Sequence, residues 1–293
     1  MSKPRSRPSA ASRPTRSRGS AALTITPASV ADLVRCVVML DRPFTETVKV
    51  DGADAEVWLR LDHRARPIPK IDRHVGSAFL VADADAAYLV TAAHVARRMD
   101  REARLSFAGR GGRRASRRLS DVLSVGAHAV RWTYAPPADV AAVRIPHPPP
   151  ALHGRFLPAE LLARDDTAPG GTVELLVIGF PLGLAATDRF APIRKHYHAA
   201  SEVVRLCGEE MSAPADFFLL DQPAMGGYSG APVFVAPHAE LTAVGDVTVL
   251  APRCVGVVSQ TISDEAGGQF AAVVPSRVIR RVLNRVRRAG VAS

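Results

Sequence analysis

Short apolar runs separated by glycine, proline and aspartate make up most of this chain. The runs are five to nine residues long and rich in valine, phenylalanine and isoleucine: GSAFLV (76–81), AYLVTAA (87–93), VAAVRI (140–145), TVELLVIGF (172–180), APVFV (231–235), VGVVSQ (255–260) and FAAVV (270–274). Runs of this length between turn residues are typical of β-strands in antiparallel sheets. The pattern therefore predicts an all-β protein made mostly of antiparallel strands.

Two stretches depart from this pattern. Between Ile145 and Thr172 the chain reads PHPPPALHGRFLPAELLARDDTAPGG. Proline cannot donate a hydrogen bond to a sheet, so this stretch predicts an unpaired linker over residues 151–170 between two β units. After Ser276 apolar residues recur at helical spacing among arginines, which predicts an amphipathic helix over residues 277–293, capped by Ser276 and docked on the second unit. The apolar stripe of this helix consists of Val278, Ile279, Val282, Leu283 and Val286.

The remaining chain divides into two β units, residues 23–150 and 171–276, preceded by a tail, residues 1–22. The tail carries six of the ten net positive charges and no acid, and it lacks the apolar segment of a secretory signal, so we expect it to be disordered. Three cysteines are too few for a disulfide framework, and no apolar run reaches the roughly 20 residues of a membrane span. These features favour a cytoplasmic protein without a membrane span.

Three polar residues stand at the borders of apolar runs in the order histidine, aspartate, serine. His94 follows LVTAA, Asp139 precedes VAAVRI, and Ser229 lies between glycines in GGYSGAPVF (226–234). This order, with separations of 45 and 90 residues (94 to 139 and 139 to 229), matches the layout of a two-barrel serine protease. Each residue alone has a structural interpretation, as a core histidine, a turn aspartate or a Gly-Ser turn. Three such coincidences in one order favour catalysis.

These motifs resemble those of the chymotrypsin-fold serine peptidases, and most closely the HtrA-like branch of bacterial trypsin-like peptidases. GSAFLV and VTAAHV are similar to the family's strands before the catalytic histidine, ADVAAVRI (138–145) to its aspartate strand, and VIGFPLGL (177–184) to the segment that opens its second barrel. LDQPAMGGYSGAPVF (220–234) is similar to its nucleophile loop, CVGVVSQ (254–260) to its substrate strand, and GGQFAAVVPSRVIRRVL (267–283) to its closing strand and helix. The resemblance covers about residues 70–288 and implies two six-stranded antiparallel β-barrels with a C-terminal α-helix.

The resemblance also implies a serine endopeptidase with a catalytic triad of His94, Asp139 and Ser229. Peptide hydrolysis needs a nucleophile, a base, a group that orients the base, and donors for the developing oxyanion. By the same resemblance, the backbone amides of Gly227 and Ser229 form the oxyanion hole, and the strand at 257–259 pairs with the substrate backbone. The substrate-binding residues implied in this way are Pro223, Ala224, Met225, Val257, Val258 and Ser259.

The sequence differs from digestive trypsins at two positions that matter. Tyr228 stands where trypsins place an aspartate before the nucleophile, and Pro223 stands where they carry the acidic base of the specificity pocket. The resemblance places Asp221 behind the loop. We therefore expect a preference for a small or medium apolar residue before the scissile bond, because no carboxylate would offset the desolvation of a basic side chain. No peptide-binding PDZ module is expected after the helix.

Other interpretations stay open at this stage. A catalytically silent or partner-activated protease-fold protein would bind a protein or peptide through the same strand and would take a regulatory protein as partner. Arginine clusters in the tail, at 97–118 and in the last helix would attract nucleic acid, but no aromatic residues or nucleic-acid motif accompany them, which argues against that partner. His196 and His198 alternate like paired metal ligands without a third ligand nearby, so we assign no metal and no cofactor.

Overall fold

The structure, a computed structural model, describes most of the chain after the predicted tail. The described residues are 23–25, 29–45, 47–50, 53–56, 58–61, 67–69, 71–83, 86–184, 189–207, 213–235, 238–241, 247–250, 252–263 and 267–291. The tail predicted over residues 1–22 lies outside them. Most described segments are strands, as the short apolar runs of the sequence predict.

The first half of the chain begins with a short helix, α1 (Val30–Val34), which starts at a reciprocal capping box between Ser29 and Asp32. The elements that follow are β1 (Val37–Thr45), β2 (Thr47–Val50), β3 (Ala53–Glu56), β4 (Trp58–Leu61), β5 (Pro67–Pro69), β6 (Ile71–Ala82), β7 (Ala87–Thr91), α2 (Ala93–Arg97), β8 (Arg104–Ala108), β9 (Arg114–Arg118), α3 (Leu119–Leu123), β10 (Thr133–Ala135), β11 (Ala138–Ile145) and β12 (Leu157–Pro158). Within the described residues, 3₁₀ turns lie at Arg110–Gly112, Pro150–Leu152, Ala159–Leu161 and Pro181–Gly183.

The second half repeats the β pattern and closes with the longest helix of the described residues. Its elements are β13 (Leu175–Gly179), β14 (Ile193–Tyr197), β15 (Val204–Leu206), β16 (Ala215–Leu220), β17 (Pro232–Val235), β18 (His238–Leu241), β19 (Val247–Leu250), β20 (Arg253–Ser263), β21 (Gln269–Pro275) and α4 (Ser276–Val291). None of the helices in the described ranges has the length and apolar character of a membrane span.

Most of the described strands form two large, mainly antiparallel sheets, which confirms the predicted all-β fold of two units with a C-terminal helix; three two-stranded hairpins, β2-β3, β4-β5 and β18-β19, lie outside them. The first sheet has the order β10-β11-β7-β6-β1-β8-β9, and the second has the order β14-β13-β17-β20-β21-β16-β15. Among the described residues the first sheet holds eight strands, including β12 beside β6, and the second holds seven. The predicted count of six strands in each is exceeded because short strands such as β9, β12 and β15 join the sheets.

The proline-rich stretch between the sheets is partly paired, contrary to the prediction. Leu157 and Pro158 form β12, which runs parallel to the end of β6, and the Ala163 N–H donates to the Cys254 carbonyl oxygen at 2.8 Å. Phe156 and Leu157 are fully buried. Their burial draws the backbone onto the first sheet, where its polar groups need partners.

The closing helix α4 lies where predicted, but its packing differs from the prediction. Its apolar stripe is buried and contacts β10 and β11 of the first sheet as well as β20 and β21 of the second. Ser276 is the first residue of the helix and not the residue before it, and its buried hydroxyl donates to the Cys254 carbonyl oxygen at 2.6 Å. The helix therefore ties the two sheets together instead of covering the second alone.

The central core cluster contains side chains from both sheets and from α4. Phe79 and Val90 of the first sheet, Leu176 and Phe234 of the second, and Ile279 of α4 are all fully buried in it. Each large apolar side chain buried in this way contributes about 1.5–3 kcal/mol. The junction between the sheets is therefore a packed interface, and residues carried to its surface from either side are held in a fixed relation.

Candidate active site

A cleft of about 570 Å³ opens where the two sheets meet. His94 from α2, Asp139 from β11 and Ser229 from the loop between β16 and β17 all line it. The three residues are far apart in the sequence. The pairing of β7 with β11 in the first sheet brings His94 near Asp139, and the packing of the second sheet against the first brings Ser229 to them. The structure thus places in one cleft the residues that the sequence predicts as a triad.

The sequence predicts that His94 lies at the end of a strand, but in the structure it lies in the first turn of the helix α2. β7 ends at Thr91, and α2 begins at Ala93. The first N–H groups of a helix have no acceptor within the helix. Here the His94 N–H donates to Asp139 Oδ1 at 2.9 Å, so the carboxylate fixes the backbone of His94 as well as its ring.

Asp139 also holds the imidazole ring of His94. Its Oδ2 lies 2.7 Å from His94 Nδ1 and accepts the Ser259 hydroxyl at 2.6 Å. Burial by itself would raise the pKa of Asp139, but the hydrogen bonds and charge of His94 and the hydroxyl of Ser259 outweigh burial and hold that pKa below its ordinary value. A carboxylate facing Nδ1 selects the tautomer that leaves Nε2 of His94 free to accept a proton.

The hydroxyl of Ser259 has a role that the sequence did not predict. Ser259 was expected to contact a substrate through its backbone, yet its side chain is fully buried and donates to Asp139. Because a buried carboxylate is stable only when its oxygens are hydrogen-bonded, Ser259 helps keep Asp139 ionised. A serine in an otherwise apolar buried strand is the one sequence signal for this role.

Ser229 is held by the surrounding backbone. Its hydroxyl donates to the Ser259 carbonyl oxygen at 2.9 Å, and its own carbonyl oxygen accepts the Ser77 N–H at 2.9 Å. No hydrogen bond between the described atoms joins the Ser229 hydroxyl to the His94 ring. Catalytic hydrogen bonds are often unformed before substrate binds.

Ser77 of β6 reaches across the junction to the loop before Ser229. It is fully buried, its hydroxyl donates to the Gly227 carbonyl oxygen at 2.7 Å, and it accepts the Phe180 N–H at 3.0 Å. The first sheet thereby fixes the orientation of the peptide group between Gly227 and Tyr228. Sequence analysis missed this residue, because GSAFLV was interpreted only as a strand.

The backbone around Gly227 presents two free N–H groups. Gly227 has φ of +95°, a left-handed conformation that favours glycine, and the Tyr228 N–H turns inward to the Met225 carbonyl oxygen at 3.1 Å. Within the described residues, neither the Gly227 N–H nor the Ser229 N–H donates to a backbone acceptor. Both amides are thus available to an acceptor brought in by a ligand.

Tyr228 directs its side chain into the second sheet. Its ring is fully buried, its hydroxyl has no hydrogen-bond partner among the described atoms, and burial raises its pKa to about 12. The phenol is therefore neutral at ordinary pH. The ring packs in the apolar core of the second sheet and so anchors the loop before Ser229.

The predicted substrate-binding residues divide into two groups. Ala224, Met225 and Ser259 line the cleft, whereas Pro223, Val257 and Val258 do not. The two valines are fully buried, and β20 has β17 on one side and β21 on the other. On the β17 side the Val258 N–H donates to the Ala231 carbonyl oxygen at 2.9 Å. Neither valine can pair with a peptide or form a pocket wall, so this part of the prediction is wrong.

The accessible part of β20 starts at Gln260, since Ser259 is fully buried like the two valines. The register between β20 and β21 shifts between Val258 and Thr261, and an irregularity of this kind interrupts the pairing of a strand with its neighbour. Ser259, Gln260 and Thr261 line the cleft. The Thr261 hydroxyl donates to the Ala224 carbonyl oxygen at 2.6 Å, which joins this edge to the opposite wall.

Asp221 lies away from the cleft, where it binds His198. Its Oδ1 accepts the His198 N–H at 3.1 Å, and its Oδ2 lies 3.4 Å from His198 Nδ1. Asp139 is therefore the one acidic residue among the described residues that line the cleft. His196 pairs with a different acid, Glu174, at 3.0 Å. Among the residues described by the structure, no group of three His, Cys, Asp or Glu side chains could hold a metal ion.

A family model described as "Trypsin-like peptidase domain" matches residues 76–244, more than half of the chain. The solved structure "HtrA-type protease AlgW with decapeptide" is similar with a TM-score of 0.51 and 18% sequence identity, over 90% of this chain and 69% of that one. "Crystal structure of Deg5" is similar with a TM-score of 0.47 and 13% identity, over 86% of this chain and 88% of that one. At 18% identity the first of these likenesses shows the fold alone. No curated protein matches the chain significantly.

Proposed function

The chain belongs to the family of trypsin-like peptidase domains, and on that premise we propose that it is a serine endopeptidase acting through His94, Asp139 and Ser229. The observation that carries the proposal is the 2.7 Å contact between His94 Nδ1 and Asp139 Oδ2 in the cleft that Ser229 also lines. A base oriented by a buried carboxylate beside a serine hydroxyl is the arrangement that nucleophilic acyl transfer requires.

In the proposed reaction the Ser229 hydroxyl turns from the Ser259 carbonyl oxygen to His94 Nε2 and attacks the carbonyl carbon of the scissile bond. His94 accepts the hydroxyl proton, and Asp139 stabilises the resulting imidazolium. The C–N bond breaks as His94 returns the proton to the leaving amine, which leaves the acyl group as an ester on Ser229. A water molecule deprotonated by His94 then hydrolyses the ester, and the hydroxyl is restored.

The proposed oxyanion hole consists of the Gly227 and Ser229 amides. It is supported by the left-handed backbone of Gly227 and by the lack of another backbone acceptor for either N–H within the described residues. Donors that are already fixed cost no reorganisation when negative charge develops on the carbonyl oxygen. The Ser77 hydroxyl bound to the Gly227 carbonyl oxygen supplies that fixation.

The substrate is proposed to be an extended peptide that adds a strand along Gln260 and Thr261. These residues line the cleft where β20 departs from its register with β21. The residue before the scissile bond is proposed to be small or apolar. Ala224 and Met225 form one wall, and the nearest acid of the loop, Asp221, is bound to His198 outside the cleft.

A serine-reactive fluorophosphonate probe, followed by mass spectrometry of the labelled peptide, tests the proposal. We expect labelling at Ser229 in the wild type and none in Ser229→Ala, together with cleavage of a peptide library by the wild type alone. Library cleavage that persists in Ser229→Ala would contradict the proposed nucleophile.

A second candidate is a partner-activated or catalytically silent peptide-binding protein. The hydrogen bond from the Ser229 hydroxyl to the Ser259 carbonyl oxygen, in place of one to His94, favours it. This candidate predicts that library peptides bind to the cleft but are not cleaved, and that the probe labels Ser229 only after a protein partner is added.

We expect Ser77→Ala to lower both kcat and the free energy of unfolding. The substitution leaves the Gly227 carbonyl oxygen and the Phe180 N–H without a partner at a fully buried position, and each such group costs about 1–3 kcal/mol. A loop displaced by this loss should lower kcat by about tenfold to a hundredfold with little change in KM. Urea unfolding and steady-state kinetics measure the two effects.

Ser106→Ala is the matched control for this experiment. Ser106 is also a buried serine of the first sheet, but its hydroxyl accepts from Arg114. We expect Ser106→Ala to lower stability and leave kcat unchanged. A Ser77→Ala variant that behaves in the same way would show that Ser77 has no positioning role.

A further inference from the structure

Arg97 adds a positive charge to the wall of the cleft beside His94. It is the last residue of α2, it is exposed, and it lines the cleft. His94 and Arg97 are three residues apart on one helix, and side chains at this spacing are neighbours, with about 5–6 Å between their Cβ atoms. His94 and Arg97 therefore form neighbouring parts of the same wall of the cleft.

The charge of Arg97 is not neutralised by any described residue. Asp100, the nearest acid in the sequence, pairs with Arg42 at 2.7 Å, and Glu102 lies 3.4 Å from both Arg101 and Arg118. Asp139, the acid in the cleft, is occupied by His94 and Ser259. No carboxylate in the described part of the chain lies within ion-pair distance of Arg97, so the cleft presents an uncompensated cation.

Tyr134 holds Arg97 in a restricted position. The guanidinium carbon of Arg97 lies 5.8 Å from the centre of the Tyr134 ring, a cation–π contact, and both residues line the cleft. A guanidinium restrained by a ring loses less freedom when it binds a ligand than a free side chain would. Its planar N–H groups match a carboxylate, which they bind through two parallel hydrogen bonds.

We propose that Arg97 and Tyr134 form a subsite for an acidic side chain, so that the preferred substrate carries Asp or Glu within two residues of the scissile bond. The inference rests on the proposed peptidase function and adds to it a substrate class. The uncharged Gln260 and Thr261 of the facing edge neither compete for the carboxylate nor repel it. The apolar residue expected directly before the scissile bond binds elsewhere, against Ala224 and Met225.

The test uses full-length protein and pairs of peptides that differ only in Glu or Gln at one position near the scissile bond. All peptides are acetylated and amidated, so the side chain is the one carboxylate that distinguishes them. For the wild type we expect kcat/KM to be about tenfold to a hundredfold higher for the Glu peptide at one of these positions. Arg97→Ala should bring the ratio to about one by raising KM for the Glu peptide. Arg97→Glu should favour a Lys peptide instead.

Arg104→Ala is the matched control, since Arg104 is exposed and does not line the cleft; it should keep the wild-type ratio. A wild-type ratio near one, with efficient cleavage of both peptides, would overturn the subsite and leave the peptidase proposal intact. A high ratio that survives in Arg97→Ala would also overturn it. Absence of both cleavage and probe labelling at Ser229 would instead count against the peptidase proposal.

Discussion

Replacing Ser229 by alanine is expected to lower kcat by about 10⁶-fold, and removing His94 and Asp139 as well should lower it little further. In the proposed mechanism the three groups act in one proton transfer, so the loss of any one removes most of what the others contribute. Asp139→Asn alone is expected to cost about 10⁴-fold in kcat, because an amide N–H facing His94 Nδ1 would favour the tautomer that has no free lone pair at Nε2. Single-turnover kinetics on one peptide measure all of these variants.

The same aspartate predicts a dependence of stability on pH. The pKa of Asp139 is lowered in the folded protein, because the hydrogen bonds from His94 and Ser259 outweigh the effect of burial. Its contribution to stability is therefore fully present above the unfolded pKa of about 3.9 and is lost as the pH falls through the folded value. Asp139→Asn should lose less stability on acidification than the wild type.

The kinetic prediction for His94, Asp139 and Ser229 has its own contrary outcome. If the losses of kcat in the single variants add up in the triple variant, the coupled mechanism is contradicted.

The fold was predictable because many strands of the two sheets, such as β6, β7, β13 and β21, carry their own apolar runs. GSAFLV and FAAVV identify their strands without any knowledge of their neighbours. The short strand β12 and the docking of α4 were not predictable in this way. They depend on which distant surfaces meet, as in the contact of α4 with β10 and β11, and no local pattern records such a contact.

The residues of the candidate site likewise fall into those with a local sequence pattern and those without one. His94, Asp139 and Ser229 could be found because each borders an apolar run of a distinctive kind. Ser77 and Ser259 act through hydroxyls buried in strands, where a serine is also a common structural residue. Arg97 could not be found in this way. It lines the cleft because residues 93–97 form the helix α2, and the sequence predicts only a strand over residues 87–93.

The error over Val257 and Val258 has a definite physical cause. A strand alternates its side chains every residue, so the sequence indicates that β20 is half buried but not where its backbone becomes free. That point is set where the pairing with β17 stops, at Pro232 opposite Val257. Pairing is a property of two strands together, so the sequence of β20 alone does not show it.

Gly227→Ala is expected to lower kcat by about 10²–10³-fold, equivalent to about 3 kcal/mol, through loss of one oxyanion donor. Gly227 has φ of +95°, and a Cβ there would lie against the Phe180 carbonyl oxygen and 2.9 Å from the Leu182 N. Both are backbone atoms, so the loop must move, and its movement carries the Gly227 and Ser229 amides away from the oxyanion position. KM should change little, since the edge at Gln260 and Thr261 stays in place.

Two control substitutions separate the loss of an oxyanion donor from the effects of an added methyl group and of backbone strain. Gly226→Ala places a methyl group in the same loop with no atom within 4 Å, and Gly126→Ala places one at φ of +56° with no atom within 4 Å. The first controls for position in the loop, and the second controls for backbone strain of about 1–3 kcal/mol. Both should keep kcat close to the wild type, while Gly126→Ala lowers the melting temperature. Normal kcat in Gly227→Ala would remove the oxyanion role from this loop and leave Gly227 as a packing residue.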